Sequence, residues 1–243
     1  MGNNLNHMIM KRFLLLSLLC VAMAGQAQTA YFTAYNFTVE SKDVGSVYNM
    51  VDTYYKANKP DGVSVWLYEN HFNEPGDNHT HTLVFTGSQE ALGGMYDAGQ
   101  STDFQLFLTR VNAQISKSNS SLSGAILDAY GDDDGAYPFR QLFVLDVEDA
   151  NAMTASFAKF NAANNPANRL VTMGSINMGL SSKGETHWVL VGFKDMKSAL
   201  GGTRGLVPEG QRAAFDRAWQ AHMSAMGEFR IVRNSLMILL GSW

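Results

Sequence analysis

Cysteine is almost missing: the 243 residues contain one, Cys20, and it lies in an apolar run near the N-terminus. With so little thiol, disulfides and thiolate metal sites are closed, and stability must come from the core. Charge is sparse, at 16 % Asp, Glu, Lys and Arg, and the 18 basic residues are scattered. Phosphate backbones need concentrated positive charge, so nucleic acid is not an expected partner. No apolar run approaches the roughly 20 residues needed to cross a bilayer as a helix. Nucleophile elbows and phosphate-cradling glycine motifs are also lacking, and Gly201-Gly202-Thr203-Arg204-Gly205 reads as a flexible loop.

What is present begins with an export signal. Lys11-Arg12 precedes Phe13–Ala24, and Ala22-x-Ala24 and Gly25-x-Ala27 offer small-residue cleavage sites. That pattern predicts a signal peptide over residues 1–27 and a periplasmic or secreted protein. Cleavage there also removes Cys20.

The mature chain reads as one unit written twice. Thr80-His81-Thr82-Leu83-Val84-Phe85 is echoed by Thr186-His187-Trp188-Val189-Leu190-Val191, 106 residues later. The same shift sets Asp43 on Asp149, Asn58 on Asn164, Pro60 on Pro166 and Val65 on Val171. Units of 28–130 and 137–243 follow, joined by the acidic linker 131–136.

Period and punctuation give each unit the order β-α-β-β-α-β. Aromatic and β-branched residues dominate 31–40 and suit a strand, Asp43 caps a helix whose face is Val44, Val47, Tyr48, Val51, Tyr54 and Tyr55, and Pro60 ends it. Strands are expected over 63–71 and 79–86, a helix from Ser101 with Ile115 on its face, and a strand over 122–129. The second unit repeats this with strands over 140–147, 170–178, 186–193 and 230–240, a helix capped by Asp149, and a last helix presenting Phe215, Trp219, His222 and Met226. Trp66, Tyr68, Leu83, Phe85, Val189 and Val191 cannot all lie under helices, since strand side chains alternate. Packing the two bare sheet faces together buries the remainder.

Two such units are two ferredoxin-like folds, expected to close as an α/β barrel within one chain. In element order and duplication the chain resembles the dimeric α/β-barrel superfamily, which includes antibiotic-biosynthesis and haem-degrading monooxygenases, stress-responsive A/B-barrel proteins and chlorite dismutase relatives. The resemblance spans about Tyr31 to Trp243. It implies an intrachain pseudo-dimer, with further homodimerisation open, and places ligands in the barrel or between sheet and helices.

On that frame the expected role is binding of a small apolar or aromatic ligand in the barrel. The alternatives are a cofactor-independent or haem-degrading monooxygenase and a structural protein with a filled core. No cofactor is expected outright, though zinc and haem both remain open. Candidate ligand contacts are His81, His187, Trp66, Trp188 and Glu69. His81 and His187 match across the shift and read either as strand-start hydrogen-bonders or as acid–base groups. His71, His79, His81 and Glu69 share odd positions on one hairpin and could form a cross-strand metal square. That set makes the first unit the expected home of the site. Arg140, near the start of the second unit's first strand, could neutralise an anionic ligand but reads first as an exposed strand end.

Overall fold

The computed structural model describes residues 29–73, 79–97, 101–132 and 135–243. The predicted signal peptide and the hairpin turn 74–78 lie outside the described residues.

The first half runs β1 (Ala30–Val39), α1 (Val44–Ala57), β2 (Val63–Phe72), β3 (His81–Ser88), α2 (Gln89–Asp97), α3 (Thr102–Asn112) and β4 (Ile115–Tyr130). The second runs β5 (Phe139–Val147), α4 (Ala150–Asn164), β6 (Arg169–Met178), β7 (His187–Phe193), α5 (Met196–Gly205), a short 3-10 turn, α6 (Arg212–Ala225) and β8 (Phe229–Ser242). The strands close in the cyclic order β4-β1-β3-β2-β8-β5-β7-β6, so two seams, β2–β8 and β4–β6, join the halves. Every ladder is antiparallel.

Strand alternation divides the core into layers. Val63, Val65, Leu67, Leu83 and Phe85 face the helices of the first half, while Val171, Met173, Val189 and Val191 face those of the second. Trp66, Tyr68, Val84, Leu142, Leu190 and Met237 pack inside the barrel lumen. Among the described residues no helix is long and apolar enough to cross a membrane.

Four local expectations are corrected. Asp43 sits in helical backbone and makes no side-chain cap, whereas Asp149 caps α4 by accepting from the Ala152 N–H at 2.9 Å. β4 starts at Ile115, which is therefore not a helix residue, because the serine-rich stretch pairs its backbone with β1 whatever its side chains. Gln89–Asp97 is helical, where no helix was expected. The glycine loop is part of α5, and Gly202, at φ 62°, supplies the left-handed kink that only glycine adopts at little cost.

Candidate functional site

Between α4, α6 and the sheet of the second half lies a cavity of about 440 Å³. Its floor includes Phe143, Val171 and Val189; its roof includes Met153, Phe157 and Trp219. The matching space in the first half is packed with rings: Tyr54 stacks on Phe107 at 4.2 Å, and Tyr55 meets Phe85, Phe107 and Trp243. In the second half the shift of 106 keeps a ring at Phe160 for Tyr54 but sets Asn161 on Tyr55 and Arg169 on Val63.

Arg169 is the main charge inside this pocket and is only 4 % exposed. Asn168, at φ 65°, turns the chain so that Arg169 opens β6 facing the helices. Its Nη2 donates to Asn161 Oδ1 at 2.7 Å, and Asn161 Nδ2 donates to the Phe157 carbonyl at 3.0 Å, which fixes the amide. The Arg169 Nε is buried with no partner among the described residues. Desolvation brings the guanidinium down to about 10, still charged at neutral pH. An uncompensated buried cation is costly, and an anionic or strongly polarised oxygen in the pocket would offset that cost.

His222 supplies a second polar group. Its ring stacks on Phe160 at 4.8 Å and meets Trp219 edge-on at 5.2 Å. Ser156 Oγ donates to the His222 carbonyl at 3.1 Å and lies 2.8 Å from Nδ1. A hydroxyl has one proton, so with that proton on the carbonyl Nδ1 is the donor in the shorter contact and Nε2 the base. Burial, reinforced by Arg169, holds the imidazole below its ordinary value. At the mouth, Arg204 grips Asp216 with bonds of 2.8 and 3.0 Å, tying α5 to α6, and Trp219 is 44 % exposed beside Met223 and Ile231.

Burial lowers His81 and His187 in the same way. A histidine whose folded value is depressed takes its proton more readily when unfolded. Stability is therefore highest above the ordinary imidazole value of 6.5 and falls as pH drops from there through the folded values. Urea midpoints at pH 7.5 and 5.0 should show this loss, and His222→Gln should reduce it.

The residues singled out from sequence fall in three places. His81 opens β3 and His187 opens β7, on the helix-facing side. Each Nδ1 meets the hydroxyl of the preceding threonine, at 2.8 and 2.9 Å, and those hydroxyls accept from the Val39 and Val147 N–H groups. This is the strand-start role, and neither histidine lines the barrel or the second-half pocket. Trp66 and Trp188 both line the lumen. Glu69 does stand opposite His81 in the register, and His71 Nδ1 lies 3.4 Å from Glu69 Oε1. His79, however, precedes the strand and turns into the lumen, so strand parity does not govern it and the square does not assemble. Among the described residues no group of three or more His, Cys, Asp or Glu is placed to hold a metal. Arg140 is not an exposed end: it is 2 % exposed and lies in the lumen. Strand and helix periods do not single out Arg169, Asn161 or Ser156, although an arginine and an asparagine replacing Val63 and Tyr55 across the shift are a signal readable in the sequence.

No family model matches the chain, and no curated protein matches it. Solved structures do. An anthrone oxidase-like protein superposes with a TM-score of 0.55 at 12 % identity, covering 90 % of this chain and 94 % of that one. A presumed monooxygenase from Lactobacillus acidophilus gives 0.59 at 10 % identity, over 88 % and 98 %. Another, from Fusobacterium nucleatum, gives 0.56 at 16 % identity, over 89 % and 95 %. At such identities the likeness shows the fold, and the chain is a ferredoxin-like α/β barrel.

Proposed function

We propose that the protein is a monooxygenase-like enzyme that oxidises a small aromatic substrate in the second-half pocket, using molecular oxygen. The observation that carries this reading is an apolar pocket of about 440 Å³ with the buried guanidinium of Arg169, incompletely paired among the described residues, in its lining. That volume lies within the roughly 300–1,000 Å³ range of small-molecule sites. The names of the neighbours, anthrone oxidase-like and presumed monooxygenase, support the reaction class.

The chemistry assigned to the chain's own groups is modest. His222 Nε2 takes a proton from an activated C–H of the substrate, a task suited to an imidazole kept neutral. Arg169 holds the resulting oxyanion, where a preorganised cation counts most in a dry site. The electron-rich carbanion then reduces dioxygen. One oxygen atom enters the carbon as a carbonyl and the other leaves as water, so a CH2 group and O2 give C=O and H2O. The pocket is small for a porphyrin.

The test uses anthrone as probe and measures oxygen uptake and quenching of Trp219. One O2 should be consumed for each quinone formed, with the activity lost in Arg169→Met. Neither binding nor uptake above the buffer rate would sink the reading.

The same proposal takes the halves as tandem ferredoxin-like repeats, supported by the matched Thr80-His81 and Thr186-His187 strand starts, with one half keeping an open pocket. It also takes the protein as exported, on the strength of the N-terminal sequence.

A further inference from the structure

We infer that α5 is a lid over the second-half pocket, hinged at Gly202 and latched by the Arg204–Asp216 ion pair, so that a ligand enters and leaves when the latch opens. The inference rests on the reading that this pocket receives a ligand, and is independent of the chemistry that follows there.

Thr203 and Arg204 of α5 line the pocket, as do Asp216 and Trp219 of α6. No residue of α5 is fully buried, whereas α4 buries five, among them Met153, Phe157 and Phe160. Local opening is easiest where little apolar surface is held down. The two ends of the segment are fixed. At the start, Asp195 accepts from the Ser198 N–H at 2.7 Å. Past the end, Val207 packs with Phe160 and Phe215, and its carbonyl accepts from Arg212 Nε at 3.1 Å. Between these anchors Gly202 bends the helix at φ 62°, and a Cβ on Gly201, Gly202 or Gly205 would meet nothing within 4 Å. The middle of the segment thus has both a hinge and room to swing. Arg204 and Asp216 hold it against α6 with both partners reaching solvent. An exposed ion pair is a weak tie, and salt screens it.

The first half shows the same segment tied down. Counted from the residues that cap them, Ser88 for α2 and Asp195 for α5, Ala199 matches Leu92 and Thr203 matches Tyr96. In the sheets, Tyr35 stands opposite Leu83 in β1–β3, and Phe143 opposite Val189 in β5–β7. α2 buries Leu92, and the hydroxyls of Tyr96 and Tyr35 are hydrogen-bonded to each other. At the matching places the second half has a partly buried alanine, a threonine, and a phenylalanine with no hydroxyl to offer. Phe143 and Thr203 both line the open pocket. The apolar anchor and the tyrosine tie of the closed half are therefore replaced, where the pocket is open, by an ion pair at the rim.

The experiment follows anthrone entering the full chain under nitrogen, where no oxidation occurs, by stopped-flow quenching of Trp219. A latch sets rates and spares affinity, because loosening it speeds entry and release together. Asp216→Asn should raise both rates roughly threefold, the scale of one exposed ion pair, with Kd within about twofold of the native value. Anthrone is uncharged, so salt acts on the latch: going from about 0.05 M to about 1 M sodium chloride should speed the native chain and leave Asp216→Asn unmoved. Hydrogen exchange on the ligand-free chain is the second readout. Amides of α5 should exchange about tenfold or more faster than those of α4, and faster again in Asp216→Asn. If anthrone does not bind, the oxidation reading fails and the exchange pattern alone decides on the lid. Rates indifferent to both salt and Asp216→Asn, a weaker Kd with entry unchanged, or α5 amides as slow as those of α4 would each overturn the proposal, whether or not anthrone is turned over.

Discussion

Gly124→Ala is expected to destabilise the barrel by about 3 kcal/mol or more, beyond the usual overpacking range because the obstacle is backbone. A Cβ at Gly124 would sit 1.8 Å from the Ser175 carbonyl oxygen, 2.8 Å from its carbon and 3.1 Å from the Ile176 Cα. A side chain could rotate away; a carbonyl on the neighbouring strand cannot. The clash falls on the β4–β6 seam, where a register shift between Ser123 and Gly124 has already placed an irregularity. Relief would require the seam to open. Thermal melts should fall by roughly 6–12 °C, taking about 2–4 °C per kcal/mol for a chain of this size. Gly93→Ala is the control: nothing lies within 4 Å of its Cβ, and replacing glycine within a helix should be neutral or stabilising by up to about 1 kcal/mol. Equal melting temperatures for the two variants would contradict this account of the seam.

Arg169→Met should abolish substrate turnover while leaving the ligand-free protein folded. Removing one member of a buried charge pair typically costs about 2–5 kcal/mol, roughly 30- to 5,000-fold in affinity. The ligand-free protein loses less, because methionine fills similar space and the desolvated charge disappears with the guanidinium. What remains is Asn161 Oδ1 without its 2.7 Å donor, a penalty of about 1–3 kcal/mol. Adding Asn161→Leu should recover that part, giving a double variant at least as stable as the native chain and without activity. Stability gained at the expense of function is the mark of a group kept for its site. If both variants turned over anthrone at the native rate, Arg169 would have no part in the reaction.

Much of the frame was legible because two periods coexist in the chain. The 3.6-residue spacing of Val47, Val51 and Tyr55 marked α1, and all three are buried; the strand expected over 63–71 is β2, which buries Val63, Val65 and Leu67. The echo of Thr80-His81 located two strand starts with the same hydrogen bonds. The failures have a common cause. β4 carries Ser116, Ser118, Ser120 and Ser121 because its outer stretch is held by main-chain bonds to β1 and needs no apolar face. α5 hides behind three glycines, which weaken a helix without forbidding it. The pocket was harder still. A cavity is defined by missing volume, and periodicity reports only the side chains that are present. The first hairpin drew attention because its histidines are visible, whereas the open pocket lies where Asn161 and Arg169 take the places of a tyrosine and a valine.

The closed strand order has a consequence for how the chain becomes a barrel. β2 pairs with β8, so Leu67 meets Gly241, and Val65 exchanges two backbone bonds of 3.0 Å with Trp243. During synthesis β2 therefore has an open edge until the last strand has been made, as has β4 until β6 arrives. Open edges are sites for wrong partners, and contacts this distant in sequence form late. The first half folds, in effect, as a waiting surface. The slow step of folding should be the capture of the C-terminal strand, with tryptophan fluorescence from Trp243 reporting the moment of closure.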